Sequence, residues 1–179
     1  MSKVSSQKTL AIIPARYASS RFPGKPLVEI AGKSMIQHVW ERAMQTHSID
    51  EVLVATDDQR ILSCVEKFGG KAVLTSPYHK TGTDRIVEAL SGRSCDWVLN
   101  IQGDEPLVLP SDLERLIWKA HKTEGTKGAT LIYKITDEPM FHDPNVVKVT
   151  LNQKSQALYF SRSLIPFPRS IQKNNYSIW

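Results

Sequence analysis

Only two cysteines, Cys64 and Cys95, occur in 179 residues, and neither belongs to a CxxC pair or stands at a metal-ligand spacing from a histidine. A disulfide scaffold is excluded, and reduced, buried, ordinary thiols in a cytoplasmic protein are expected. Long apolar runs are missing too. Leu10 to Ile13 and Val52 to Ala55 are among the longest, far short of the roughly 20 residues a bilayer helix needs, so no membrane partner is expected. Met1 to Lys8 is polar and Pro14 cuts off the first apolar run, which does not suit a secretory signal. The five histidines (His38, His47, His79, His121, His142) show no metal spacing, and no Ser/His/Asp set stands out. Aromatic residues make up only 8%, and no repeat or low-complexity tract is present.

What remains is a composition of 41% hydrophobic and 23% charged residues, that of a soluble globular chain long enough for a sizeable core. A single domain over 1–179 is expected. The net charge of +5 is uneven. Residues 1–40 hold six basic side chains against one acidic, 41–140 twelve against sixteen, and 141–179 five against one. The basic residues gather in one loop rather than along a face, so no nucleic-acid partner is expected. The chain ends on Ile178-Trp179, large apolar residues that rarely finish a surface tail, and a missing C-terminal part is expected.

The order of segments is strand, helix, strand, helix. Leu10 to Ile13 reads as a strand buried on both faces. Ser34 can cap a helix with Met35, Ile36, Val39, Trp40 and Ala43 on one face, ending near His47. Val52 to Ala55 is the next strand, and Ile61, Leu62, Val65 and Phe68 mark a helix closed by Gly69-Gly70. A strand at Lys71 to Leu74, a helix from Thr83, a strand at Trp97 to Ile101, a helix opened by Pro110-Ser111-Asp112 and a strand at Ala129 to Tyr133 follow. Val146 to Leu151 and Ala157 to Phe160 suit an antiparallel addition at one edge. The architecture implied is α/β, a doubly wound three-layer αβα fold with a mostly parallel sheet. Trp40 and Phe68 belong to its core.

In such sheets the site lies at the carboxyl ends of strands, which directs attention to Pro14 to Pro26, to Thr56-Asp57 and to Gln102 to Glu105. The first of these loops holds Arg16, Arg21 and Lys25, three cations within ten residues. Converging there, they call for an anion, and a nucleoside triphosphate meets that demand, with Arg as a fork and Lys as a point charge. The alternative is a solvated basic loop. Walker A does not fit, because Gly24-Lys25 runs into Pro26, and GxGxxG is absent. Asp104, just past the strand Trp97 to Ile101, can ligate Mg²⁺ beside the phosphates or cap the strand in an Asx turn. Thr81-Gly82-Thr83-Asp84-Arg85 can cap a helix or meet a nucleotide.

The run Pro14-Ala15-Arg16-Tyr17-Ala18-Ser19-Ser20-Arg21-Phe22-Pro23-Gly24-Lys25-Pro26-Leu27 resembles that of the 3-deoxy-manno-octulosonate (Kdo) cytidylyltransferases, the CMP-Kdo synthetases. The resemblance continues through Val54-Ala55-Thr56-Asp57, His79 to Arg85, Asn100 to Pro106 and Tyr159 to Pro166, essentially the whole chain. It implies the nucleotide-diphospho-sugar transferase fold and a cytoplasmic bacterial enzyme that activates Kdo with CTP and Mg²⁺ for lipopolysaccharide synthesis. Carried over by position, Arg16, Arg21 and Lys25 would hold the triphosphate and Asp104 the metal, these four being the catalytic residues, with Pro14, Ala15 and Ser19 also nucleotide-binding. Gln102 and Arg162 would face the sugar acid, with Thr83, Asp84 and Arg85 near the cytidine. The family pattern also implies a homodimer, and past Trp179 a His-x-Gly-Ile-Tyr segment, a dimer-forming helical region and a second metal-ligating Asp.

Overall fold

The structure, a computed structural model, describes residues 7–18 and 22–167. Its contacts gather into two compact units, Met1–Ala129 and Thr130–Trp179.

In the first unit the elements are β1 (Thr9–Ala15), a 3-10 turn (Lys25–Leu27), β2 (Glu29–Ile30), β3 (Lys33–Ser34), α1 (Met35–Met44), β4 (Glu51–Thr56), α2 (Gln59–Lys67), β5 (Lys71–Leu74), α3 (Gly82–Ala89), β6 (Trp97–Asn100) and α4 (Pro110–Lys122). Four strands form a parallel sheet in the order β5-β4-β1-β6. The period-2 alternation of a strand sends β1's side chains to opposite faces. Ala11, Ile13 and Ala15 pack with Ile36, Val39 and Ala43 of α1, Ile61 and Val65 of α2, and Leu113 of α4. Leu10 and Ile12 meet Leu53, Ala55 and, from α3, Ile86 and Ala89 on the other face. Helices on both faces of a parallel sheet make the three-layer architecture expected. The two cysteines are free but half-buried rather than buried, and Trp40 meets Phe68 in a tilted ring contact at 5.2 Å between centroids, against the core.

Pro14 is tolerated at the end of the central strand for a stateable reason. The Ile101 N–H donates to the Ile12 carbonyl (3.1 Å), so residue 14, two positions on, also directs its backbone towards β6, whose strand has ended at Asn100. The N–H that proline lacks therefore costs no ladder bond.

The second unit holds α5 (Glu138–His142), β7 (Lys148–Leu151) and β8 (Ala157–Ser161). The expected strands at 146–151 and 157–160 are antiparallel, but they pair with each other as a separate two-stranded sheet instead of joining the main one. Ala129 to Tyr133, expected as a strand, is irregular: its apolar pattern suits a strand, but a strand exists only with a ladder partner, and none pairs with it among the described residues. Lys148 is fully buried, with its ammonium donating to the carbonyls of Asp143 (2.7 Å), Val146 (2.9 Å) and Arg162 (3.0 Å). Three carbonyl acceptors are what allow a lysine to be buried without a counter-ion. Two further details differ. The α1 helix stops at Met44, short of His47, and Ser34 stands at its N-cap without a side-chain capping bond, its hydroxyl accepting from the Cys64 thiol (3.4 Å) instead.

Candidate active site

Three loops converge at the carboxyl end of β1. The loop after β1 brings Arg16 and Lys25, the turn after β6 brings Asp104, and the segment before α3 brings Lys80 to Asp84. The Lys25 ammonium lies 2.6 Å from the Asp104 carboxylate, and the Arg16 guanidinium donates to the Lys80 carbonyl (2.8 Å). The close approach depends on glycine. A Cβ on Gly103 would stand 2.9 Å from the Pro14 carbonyl oxygen, so a larger residue would push Asp104 away from β1, and a Cβ on Gly82 would already touch the Pro14 ring at 3.4 Å.

Lys25 and Asp104 are each roughly half exposed, at 36% and 51% for their side chains, so their pairing is a solvent-screened contact open to exchange. Asp104 is not an Asx cap: its carboxylate faces Lys25. Glu105 takes the turn, its N–H donating to the Gln102 carbonyl (3.2 Å). Gln102 is exposed beside it, its amide donating to the Asn100 side chain (3.4 Å). Ser19 and Arg21 lie outside the described residues.

The segment Thr81 to Arg85 divides its duties. Thr81 is the N-cap of α3, and a capping box is complete: the Asp84 N–H donates to the Thr81 hydroxyl (3.1 Å) while the Thr81 N–H donates to the Asp84 carboxylate (3.1 Å). Thr83 is exposed in the first turn. The Thr81 hydroxyl, then the Thr81 N–H, hold the Asp84 carboxyl below the usual aspartate range, helped by the charges of His79 and Arg16. A depressed folded pKa contributes stability that is fully present above the unfolded value of about 3.9 and is lost as pH falls through the folded value. Asp84→Asn is therefore expected to lower the thermal midpoint at neutral pH, with the gap to the parent closing as pH drops below about 4. Melting curves across that range check it, and an undiminished gap at about pH 3 would assign the effect to something other than the charge.

Arg85 is the largest departure from expectation. Its side chain is fully buried, with the guanidinium donating to the Thr75 hydroxyl and to the Asp57 carboxylate (2.8 Å). It ties α3 to the carboxyl ends of β4 and β5 and presents no exposed atom to a nucleotide. Sequence reasoning singled out Thr56-Asp57 as a strand end but gave Asp57 no role. The signal that could have found its partner is the helical position of Arg85, next to the apolar Ile86. Arg162 belongs to the second unit, where its guanidinium donates to the Pro144 carbonyl (2.8 Å) and its own carbonyl accepts from Lys148.

Among the described residues, no group of three or more His, Cys, Asp or Glu side chains is placed to hold a metal. An exposed carboxylate such as that of Asp104 is chemically suited to Mg²⁺, a cation commonly held by one or two carboxylates with phosphates and waters. No helix among these residues is long and apolar enough to cross a membrane.

The cytidylyltransferase family model matches residues 10–178. A 3-deoxy-manno-octulosonate cytidylyltransferase of Escherichia coli is 48% identical over 94% of this chain and 68% of its own length. An 8-amino-3,8-dideoxy-manno-octulosonate cytidylyltransferase of Shewanella frigidimarina is also 48% identical, over 96% of this chain and 71% of its own. The solved structure of CMP:2-keto-3-deoxy-manno-octonic acid synthetase complexed with CTP superposes with a TM-score of 0.88 at 48% identity, covering 93% of this chain and 68% of that one. This chain thus spans about two thirds of the length of these relatives. With its parallel sheet, its basic loop after β1 and a match over nearly its whole length, the chain belongs to the cytidylyltransferase family, alongside the 3-deoxy-manno-octulosonate cytidylyltransferases.

Proposed function

We propose that this chain transfers the CMP group of CTP to the anomeric hydroxyl of the sugar acid Kdo, releasing pyrophosphate. The observation that supports this most is the approach of Lys25, from the basic loop that Arg16 opens after β1, to Asp104 past the end of β6. Arg16 and Lys25, with Arg21 from the same loop, grip the triphosphate. Their charges orient the α-phosphate for in-line attack and offset charge growing on its equatorial oxygens and on the departing pyrophosphate. Positioning and electrostatics supply most of the catalysis in such transfers. In the free chain Lys25 rests on Asp104, so an incoming phosphate takes the place of the carboxylate around the ammonium. Asp104 is then the residue that would hold Mg²⁺, which when bound supplies further neutralisation of the triphosphate.

Pro14 and Ala15, the last residues of β1, lead into the nucleotide loop, and the resemblance assigns Ser19 to the same nucleotide site. Gln102, beside Asp104, serves the sugar acid, and the resemblance assigns Arg162 of the second unit to a carboxylate of the same substrate class. Thr83 lies on the cytidine side, whereas Asp84 is spent on its capping box and Arg85, being buried, acts by positioning. The whole of 1–179 is taken as one nucleotidyltransferase domain. By the resemblance to the CMP-Kdo synthetases the enzyme is cytoplasmic, works as a homodimer and feeds lipopolysaccharide synthesis, while the gathering of basic residues in one loop speaks against a nucleic-acid partner.

A second acceptor has a specific ground: the relative named for the 8-amino sugar is as similar as the one named for Kdo. The test is pyrophosphate release from CTP, Mg²⁺ and each sugar acid. Release only when all three components are present supports the reading, and the faster acceptor identifies the substrate. Equal release with ATP, or without any acid, would refute it.

A further inference from the structure

We infer that Tyr17, braced by Arg60, is the positioning residue that fixes Lys25 in the triphosphate site, an inference that rests on the reading of that site proposed above. The Gly24 N–H donates to the Tyr17 carbonyl (2.8 Å), tying the two ends of the loop together immediately before Lys25. The Leu27 N–H then donates to the Gly24 carbonyl (2.8 Å), so Lys25 opens a 3-10 turn whose base is the Tyr17–Gly24 tie. Gly24 adopts φ +72°, and a Cβ there would stand 3.2 Å from Tyr17 Cε2. The phenol ring therefore packs against backbone where only glycine leaves room.

The ring is itself held. The Arg60 guanidinium carbon lies 3.3 Å from its centroid, a cation–π contact at close range. Arg60 is gripped by the Asp58 carboxylate through Nε (2.9 Å) and Nη2 (2.7 Å). Asp58 in turn is the N-cap of α2, accepting from the Arg60 N–H (2.9 Å). Contacts thus run without a break from the first turn of α2 through Asp58, Arg60 and Tyr17 to Gly24 and Lys25. Of these groups, Asp58, Arg60 and Tyr17 need not touch phosphate themselves. With its charge answered by Asp58 and its guanidinium carbon over the ring, Arg60 acts on the site through Tyr17.

Removing the ring leaves Lys25 its charge but not its place, and a misplaced cation binds and orients phosphate less well. Calorimetric titration with CTP and Mg²⁺, together with melting curves, distinguishes this from a purely structural part. Tyr17→Ala is expected to weaken CTP binding by about tenfold, while Tyr17→Phe, which keeps the ring, stays within about twofold of the parent. Arg60→Ala, a change at an exposed residue, is expected to weaken CTP binding by about three- to fivefold with the melting midpoint unchanged. In the Tyr17→Ala background the same change should add nothing beyond about twofold, because its effect passes through the ring.

CTP affinity at the parent value in Arg60→Ala, or full additivity in the double variant, overturns the inference. If Tyr17→Ala proves unfolded, Arg60→Ala and Tyr17→Phe decide between the outcomes. A folded parent chain that binds no CTP would sink the triphosphate reading itself, whatever the variants do.

Discussion

Asp104→Asn is expected to lower turnover by about 10²–10³-fold while leaving metal-free CTP affinity unchanged or tighter. The two halves of that result have separate causes. Asparagine keeps the size of the side chain but offers a hard cation a neutral amide oxygen in place of a carboxylate, so the Mg²⁺ concentration needed for half-maximal rate should rise. The same change deprives Lys25 of its partner at 2.6 Å, and the ammonium no longer has to leave an anion when phosphate arrives. Lys25→Ala separates these effects, since it should weaken CTP binding with and without metal. Stability is a control: both side chains are at least one third exposed, and ion pairs of that kind contribute about 0–1 kcal/mol, so neither variant should move the melting midpoint much. An Asp104→Asn chain that turns over at the parent rate at ordinary Mg²⁺ would remove Asp104 from the chemistry. Loss of metal-free CTP affinity in that variant would show that the carboxylate positions Lys25 rather than competes for it.

The sequence made the layered fold legible where local pattern was enough. β1, β4 and β6 are short apolar runs followed by glycine-, proline- or aspartate-containing loops, and the helices between them carry apolar residues at helical spacing. Because the strands are parallel, their carboxyl ends lie together, which is why Lys25 and Asp104 meet although they are far apart in the chain. What pattern could not supply was pairing. Ala129 to Tyr133 has the composition of a strand without a ladder, and β7 and β8 chose each other. The small β2–β3 hairpin went unseen because its turn puts Ala31 at φ +49° ahead of Gly32 at φ +80°, a left-handed position that alanine rarely signals.

Charged residues concealed their places for a related reason. Arginine and lysine ordinarily mark surface, yet Arg85 and Lys148 are fully buried, each because groups distant in sequence or supplied by backbone answer its charge. Tyr17 was visible as part of a basic loop, but its importance lies in contacts with Gly24 and with Arg60 on another element, and no spacing rule anticipates those. The approach of the basic loop to Asp104 was thus legible from residue type and strand order, whereas the supports behind Lys25 required three-dimensional contacts.

The Arg85–Asp57 pair gives the largest stability effect expected in the molecule. Arg85 is fully buried and the Asp57 side chain only 12% exposed, so Asp57→Ala leaves a guanidinium in the interior with only the Thr75 hydroxyl to answer it. Breaking a buried pair from one side typically costs about 3–5 kcal/mol, more than the pair itself contributes, because the remaining charge has lost water and partner together. The double variant Asp57→Ala/Arg85→Met removes both charges and keeps an unbranched apolar stem against Ile86 and the sheet. It should recover most of the loss, since apolar replacements of buried pairs are often neutral. Polar burial favours this outcome: among the described residues the second Asp57 oxygen and Arg85 Nε are buried without hydrogen-bond partners, so the pair holds polar atoms that alanine and methionine would not bring. Urea denaturation midpoints of the parent, the single and the double variants provide the comparison. A double variant as unstable as Asp57→Ala would mean that the guanidinium's bonds to Thr75 and Asp57, which join α3 to the ends of β4 and β5, matter more than relief of its charge. If the double variant is stable yet binds CTP poorly, the pair exists to hold α3 against the site and not to hold the fold together.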